Sequence, residues 1–290
     1  MTHLSTPKWN NSFLFLCLIA WLGILGLEIT PAWSGGPLVV NNGTAVLWPT
    51  NQLPIVYTLD QGTLGSFNNS QAATLINTAF NTWNKVSTTQ FRFNKNSKTL
   101  SEDVTVNNYL NYYTDSRDGS NPIIYDNDGS IINDLYGGNA RNYVLGYTTV
   151  YYSGNYIVYT PVIMNGYFIK SQSQTLEEIT STVLHEIGHM CGLDHSQFAR
   201  EVAYNDINTD DNCIPIMFPT STGSSDTRNT LTLDDQISIS ALYPTTYFLN
   251  STGTFSGTVK RSGKELPGVN VIARAITDPV NQVATTVTGT

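Results

Sequence analysis

Residues 185–195 read HEIGHMCGLDH, and this stretch decides how the rest of the chain is interpreted. Two histidines four positions apart lie on the same face of a helix, so His185 and His189 can bind one metal ion. Gly192 can adopt the backbone conformation that ends a helix, and the resulting turn would bring His195 to the same ion. Three imidazole nitrogens leave one position of a tetrahedral zinc ion open, which is typical of catalytic sites.

A bare HExxH pattern also arises by chance on amphipathic helices, where both histidines simply pack. The glycine and the third histidine at fixed offsets favour the metal interpretation. The chain has four histidines, and the one outside this stretch, His3, lies in a segment that we expect to be removed. Glu186 follows the first histidine, where a carboxylate can take a proton from metal-bound water. The sequence therefore predicts one catalytic zinc ion on His185, His189 and His195, with Glu186 as general base.

A second landmark is the methionine in CIPIMFP, residues 213–219. On its own such a methionine most often fills a gap in a core, and this alternative stays open for Met217. Here it follows His195 by 22 residues, where a zinc site needs a floor. Together the two landmarks resemble the metzincin clan of zinc endopeptidases, with Met217 as the Met-turn.

Finer features resemble the matrixin family within that clan. Ser196 follows the third histidine, as in matrixins, and Pro219 stands where astacin-like and serralysin-like members carry a tyrosine. Residues 48–93 and 233–244 look like the first and last parts of a matrixin catalytic domain. The resemblance implies an α+β fold with a twisted mixed sheet, the zinc helix and a C-terminal helix. It also implies a protein or peptide substrate, which would pair as an extra strand with residues 158–165, unless that strand is only a sheet edge.

The chain departs from the animal members of the family in two ways. Those enzymes carry a propeptide whose cysteine caps the zinc, and no such segment fits between residues 1–34, which we expect to be removed, and Trp48. They also hold a structural zinc on further histidines, which this sequence lacks. We therefore expect neither a cysteine switch nor a second zinc ion.

The N-terminus has the pattern of a signal peptide over residues 1–34. Lys8 precedes an apolar-rich run of 15 residues, 13–27, and Ala32 and Ser34 provide a small-x-small cleavage site. The run is shorter than the roughly 20 residues that span a bilayer, although an uncleaved anchor remains the alternative. We expect a secreted, periplasmic or cell-surface protein with no membrane span after cleavage.

The formal net charge of −8 predicts a chain without the basic surface that nucleic acid requires. We expect a monomer that takes protein or peptide substrates. The main alternative is a surface-binding or adhesive protein with an inactive zincin domain. The intact Glu186 argues against it.

The remaining periodicity predicts strands and helices around the zinc helix. Their expected positions are a strand over 53–59, a helix from an N-cap at Ser70 to about 86, strands from 91 and over 104–106, a loop over 116–142, paired strands over 143–152 and 156–165, and a zinc helix capped by Ser173 or Thr175. The expected domains are a polar leader over 35–47, the catalytic domain over 48–244, a linker over 245–253 and a β-module over 254–290. That module resembles the opening of a carboxypeptidase-regulatory or transthyretin-like sandwich, and it is too short to be complete.

Two further sites are predicted. Cys191 ends the zinc helix and Cys213 precedes the Met-turn, so the two should approach and pair in an exported protein; two free thiols, or a Cys191 that binds zinc in an inactive form, are the alternatives. The oxygen-rich residues Asp126, Asp128, Ser130 and Asp134 partly resemble a calcium loop but lack its closing glutamate, so we favour solvated turn residues and keep a calcium site as the alternative.

Overall fold

The computed structural model describes residues 35–114, 120–172, 174–196, 200–204, 207, 211–220 and 228–288. The predicted signal peptide and Ser173 lie outside the described residues. The strands are β1 (Val40–Asn41), β2 (Thr44–Ala45), β3 (Ile55–Leu59), β4 (Phe93–Lys95), β5 (Asn121–Asp126), β6 (Gly146–Thr148), β7 (Tyr151–Ser153), β8 (Tyr156–Tyr159), β9 (Val162–Asn165), β10 (Lys260–Arg261), β11 (Lys264–Glu265), β12 (Asn270–Ala275) and β13 (Asp278–Val287). The helices are α1 (Asn69–Asn84), α2 (Leu110–Tyr113), α3 (Ser130–Tyr136), α4 (Gly166–Ser171), α5 (Leu176–Met190), α6 (Arg200–Ala203), α7 (Leu233–Leu242) and α8 (Thr246–Ser251). Among these helices, none is long and apolar enough to cross a membrane.

A five-stranded sheet forms the centre of the molecule, in the order β4-β3-β5-β9-β6. The first four strands are parallel, and β6 pairs antiparallel with β9 at one edge. Successive side chains of a strand point to opposite faces. Accordingly Ile123 and Tyr125 of β5 join the core beneath α1 and α5, whereas Ile124 joins a second core with Ile131 and Ile132 of α3. The mixed sheet with its helices confirms the predicted α+β fold.

The two long helices begin at capping boxes. In this motif the side chain of the N-cap residue accepts from the backbone N–H three positions later, and the side chain of that later residue accepts from the N-cap N–H. Helix α5 begins after Thr175, which is one of the two predicted caps. Its side chain accepts from the N–H of Glu178. Helix α1 begins after Asn68 instead of the predicted Ser70, because Asn68 forms the box with Gln71. Leu176, the first residue of α5, is 56% exposed.

The interpretation of residues 116–142 as a loop is wrong for the described part. Residues 121–126 form β5, a central strand that is buried along its whole length. Its polar end residues favoured a loop in the sequence, but they are buried and hydrogen-bonded. The Asn121 side chain donates to Val56 O and accepts from Thr160 N.

The strand predicted over 104–106 does not form, because the N–H of Val104 donates to the buried carboxylate of Asp60 and not to a neighbouring strand.

The C-terminal segment contacts the catalytic domain through one hairpin. Strands β12 and β13 pair antiparallel, and β13 packs against α7. Val283 of β13 is 3% exposed. The backbone N–H of Thr285 donates to Asp234 Oδ1 at 2.7 Å. The predicted linker, residues 245–253, contains α8, and the described residues beyond it form two-stranded hairpins and no sandwich.

Candidate metal centre

Helix α5 and the turn after it place three histidines around one point. His185 and His189 are one turn apart on α5, so their side chains project from the same face. Gly192 has φ +88°, and Leu193 N–H then donates to Gly188 O, which turns the chain back at the end of the helix. His195 follows two residues later. The Nε2 atoms lie 3.1 Å apart for His185 and His189, and 3.2 Å apart for each pair that includes His195.

The polar leader supports this turn, which the sequence did not predict. The N–H of Leu38 donates to Gly192 O at 2.7 Å, and the N–H of Asp194 donates to Gly36 O at 2.9 Å. Residues 35–38 therefore lie alongside the turn that carries the third histidine, and they fix its backbone.

The hydrogen bonds of the Nδ1 atoms, which point away from the other two histidines, determine the tautomers of His185 and His189. Nδ1 of His185 lies 2.7 Å from Ile216 O, and Nδ1 of His189 lies 2.8 Å from Leu193 O. A carbonyl oxygen only accepts, so both Nδ1 atoms carry the proton and both Nε2 atoms present lone pairs inward. Burial lowers the pKa of His189 to about 4 and of His195 to about 3, and it also holds the pKa of His185 well below its usual value.

Converging lone pairs at this spacing repel one another unless a cation lies between them. Zinc–nitrogen bonds of about 2.0–2.1 Å at tetrahedral angles separate the nitrogens by about 3.3 Å. The observed 3.1–3.2 Å matches that geometry. Within the described part of the chain, this is the one group of three or more histidine, cysteine or carboxylate side chains whose ligand atoms converge. The residues present therefore fit a zinc ion.

Met217 lies directly beneath α5. A Cβ at Gly188 would lie 2.1 Å from its sulfur, so the absence of a side chain at Gly188 lets the turn approach the helix. The Met217 carbonyl accepts from the N–H of Ser196 at 2.7 Å, next to His195. Asp235 of α7 accepts from the N–H groups of Ile216 and Met217 at 3.0 and 3.1 Å.

Glu186 lies on the side of α5 that faces β6. It is 7% exposed, and burial raises the pKa of its carboxyl group to about 7, although a hydrogen bond from Thr148 opposes the shift. A buried carboxylate with a raised pKa is suited to accept and return a proton near neutral pH.

The residues 47–244 match the family model of the matrixins. The chain belongs to the matrixin family. Matrixins are zinc-dependent endopeptidases that bind a catalytic zinc ion, and in this matrixin the histidine triad is gathered as such an ion requires. A comparison with curated proteins found no match.

The edge strand of this matrixin differs from the prediction. Residues 158–165 were expected to form the edge that receives substrate, but β9 lies inside the sheet between β5 and β6. Strand β6 is the edge strand on this side of the sheet, and Thr148 on it touches Glu186. The error arose because β9 precedes the zinc helix in sequence, whereas antiparallel pairing places the earlier strand β6 outside it.

The predicted disulfide between Cys191 and Cys213 is wrong in this structure, which forms no bond between them. Cys191 is fully buried in the main core, where its environment raises the pKa of the thiol. Cys213 faces the C-terminal hairpin, and its Sγ lies 3.0 Å from Asn281 Oδ1. The two cysteines pack in different hydrophobic clusters, Cys191 in the main core and Cys213 with Val283 of β13, so proximity to one metal did not bring the sulfurs together.

The predicted calcium loop is arranged as a helix start. Asp126 accepts from the N–H groups of Ile131 and Ile132 of α3, and Asp128 accepts from the N–H of Ser130. Asp134 accepts instead from the Tyr109 hydroxyl. These carboxylates belong to no converging group among the described residues, so no contact supports the calcium prediction.

Asp126 gives a pH-dependent test of this arrangement. Burial raises the pKa of its carboxyl group to about 6, above the unfolded value near 4. The folded state therefore binds the proton more tightly, so this contribution to stability is full below pH 4 and is lost as the pH rises through 6. We expect wild type, relative to Asp126→Asn, to be more stable by about 2 kcal/mol at pH 4.5 than at pH 7.5. Urea unfolding at both pH values, with and without calcium, measures it. A relative stability that does not change with pH, or one that changes only when calcium is absent, would contradict a carboxyl group that serves the helix alone.

Proposed function

We propose that this matrixin is an exported zinc endopeptidase in which His185, His189 and His195 hold the metal and Glu186 is the general base. The observation that carries the proposal is the inward convergence of the three Nε2 atoms, with the buried side chain of Glu186 following the first of these histidines on the same helix. The Nε2 lone pairs of the three histidines lie 3.1–3.2 Å apart and repel one another unless a cation lies between them. Glu186 directly follows His185 in α5.

The chemistry follows from the residue types. A bound zinc ion would polarise the scissile carbonyl and lower the pKa of a water ligand to about 7. Glu186 takes one proton from the attacking water and later gives it to the leaving nitrogen, so the base is regenerated in each turnover. His185 and His189 keep their Nε2 atoms unprotonated because both Nδ1 protons are donated to carbonyl oxygens.

The unpaired edge of β6 is suited to receive an extended peptide. In the described part of the chain, β9 pairs with one side of β6 and no strand pairs with the other. An extended substrate could add a strand there by backbone hydrogen bonds, with its scissile bond carried past Glu186. Such pairing favours unfolded or loop segments of proteins as substrates.

Casein or gelatin cleavage tests the proposal directly. We expect the protein without its signal peptide to cleave either substrate, to lose at least about 95% of the rate in a zinc chelator and to recover it when zinc is restored. Cleavage that persists after the metal is removed would contradict the zinc mechanism. Binding to surfaces without any cleavage would favour the adhesive alternative.

Export is tested separately, by expressing the full chain and sequencing the N-terminus of the protein found outside the cytoplasm. We expect it to begin at Gly35. Retention of residues 1–34 on a membrane fraction would favour an uncleaved anchor.

A further inference from the structure

The side chain of Glu186 is held by the edge strand β6 as well as by its own helix. The Thr148 hydroxyl donates a hydrogen bond to Glu186 Oε2, at 2.7 Å, and also lies 3.0 Å from the backbone carbonyl of Glu186. Thr148 is 8% exposed, so little water competes for either contact. The Thr148 hydroxyl therefore contacts both the carboxylate and the backbone carbonyl of Glu186.

Gly146, two positions earlier on β6, provides the space for this contact. A Cβ at Gly146 would lie 2.8 Å from Glu186 Cγ and 3.2 Å from both Cδ and Oε1. Any larger residue would have to displace the carboxylate. Because residues i and i+2 face the same side of a strand, Gly146 and Thr148 together define where the Glu186 side chain lies.

On this geometry, and resting on the proposed function, we propose that Thr148 is a positioning residue that fixes the general base. Its hydroxyl binds Oε2, which leaves Oε1 as the carboxylate oxygen that receives the proton of the attacking water. When Oε1 carries that proton, Oε2 is the carbonyl oxygen of the carboxylic acid and still accepts from the Thr148 hydroxyl. Thr148 thus binds the carboxyl group in both states of the reaction and gains or loses no proton itself.

The neighbouring Thr149 offers a matched control. It is 7% exposed, and its hydroxyl donates to the Tyr113 hydroxyl at 2.7 Å on the other side of the sheet. Replacing it by valine removes a buried hydroxyl of the same kind, one residue away, without touching Glu186. Any general effect of such a substitution on the fold appears in both variants.

The test compares Thr148→Val, Thr148→Ser and Thr149→Val in the full zinc-loaded protein, with a quenched-fluorescence peptide as substrate. We expect Thr148→Val to lower kcat by about 10- to 100-fold with KM within about threefold, since misplacing a catalytic group slows the chemical step. Thr148→Ser keeps the hydroxyl and should restore kcat to within about threefold of wild type. Thr149→Val should leave kcat unchanged, and each variant should hold one zinc ion per chain.

A double variant identifies the residue through which Thr148 acts. If the hydroxyl works through the Glu186 carboxylate, Thr148→Val should cost nothing further in a Glu186→Gln background, because the effects of coupled residues are not additive. Gly146→Ala, whose added Cβ would lie 2.8 Å from Glu186 Cγ, should displace the same side chain and lower kcat with zinc retained, and it gives a second readout if Thr148→Val fails to fold.

The outcomes separate this inference from the proposed function. Wild-type kcat in Thr148→Val, an equal loss in the serine variant, or full additivity with Glu186→Gln would overturn the role of Thr148 while leaving the zinc mechanism intact. A wild-type protein that cleaves no peptide, or a fully active Glu186→Gln variant, would overturn both.

Discussion

Glu186→Gln is expected to lower kcat on a peptide substrate by about 10²- to 10⁴-fold while one zinc ion per chain stays bound. Glutamine keeps the size of the side chain and its hydrogen bond with Thr148, but its amide cannot accept and return a proton at neutral pH. The three imidazoles are untouched, so neither metal content nor melting temperature should fall.

Initial rates with a quenched-fluorescence peptide, together with zinc analysis of the same sample, measure this effect. Glu177→Gln is the matched control, because Glu177 is an exposed carboxylate in the first turn of the same helix. Activity within tenfold of wild type would remove Glu186 from its role as the base. Loss of zinc along with activity would show that the substitution disturbed the ligands instead.

Asp235→Ala should produce the largest loss of stability among single substitutions near the site. Asp235 is 1% exposed, and its carboxylate accepts from the backbone N–H groups of Ile216, Met217 and Thr232. Each buried donor left without an acceptor costs about 1–3 kcal/mol, so we expect the free energy of unfolding to fall by roughly 3–5 kcal/mol. Because His185 Nδ1 is bound to Ile216 O, zinc should also dissociate faster.

Urea unfolding and the rate of zinc transfer to a coloured chelator measure the two effects. Asp235→Asn keeps one acceptor oxygen and should lie between wild type and the alanine variant. If Asp235→Ala loses less than about 1 kcal/mol, the Met-turn does not depend on this carboxylate.

The zinc helix was predictable from the sequence because its information is local. The spacing of His185 and His189 and the capping box of Thr175 with Glu178 are set within one helix, and Gly192 ends it. The convergence of the three histidines follows from that spacing and from one turn.

The strand and the helix that support the zinc helix were predicted, but their contacts with it were missed because the contacting residues are distant in sequence. Thr148 meets Glu186 across 38 positions, and Asp235 meets Met217 across 18. Asp235 stands in the first turn of a helix, where an acidic residue is expected to favour the helix dipole. Nothing in that local signal distinguishes it from an acid that also anchors another loop.

The incorrect predictions have the same origin. Strand β5 has Asn121 and Asp126 at its ends, and a polar residue in sequence indicates solvent unless its buried partner is known. Whether Cys191 and Cys213 would pair depended on which hydrophobic cluster each side chain joins, and spacing along the chain carries no information about that.

The contact between β13 and α7 bears on where this protein can be cut for expression. The family match ends at residue 244, and a fragment designed on that boundary would lack Thr285. Asp234, which is 3% exposed, would then lose the N–H and hydroxyl of Thr285 and keep the hydroxyl of Ser196, at 2.6 Å. Ser196 adjoins His195, so the cut would remove support one residue from the metal centre. Fragments used for crystallisation or assay should therefore extend through residue 288.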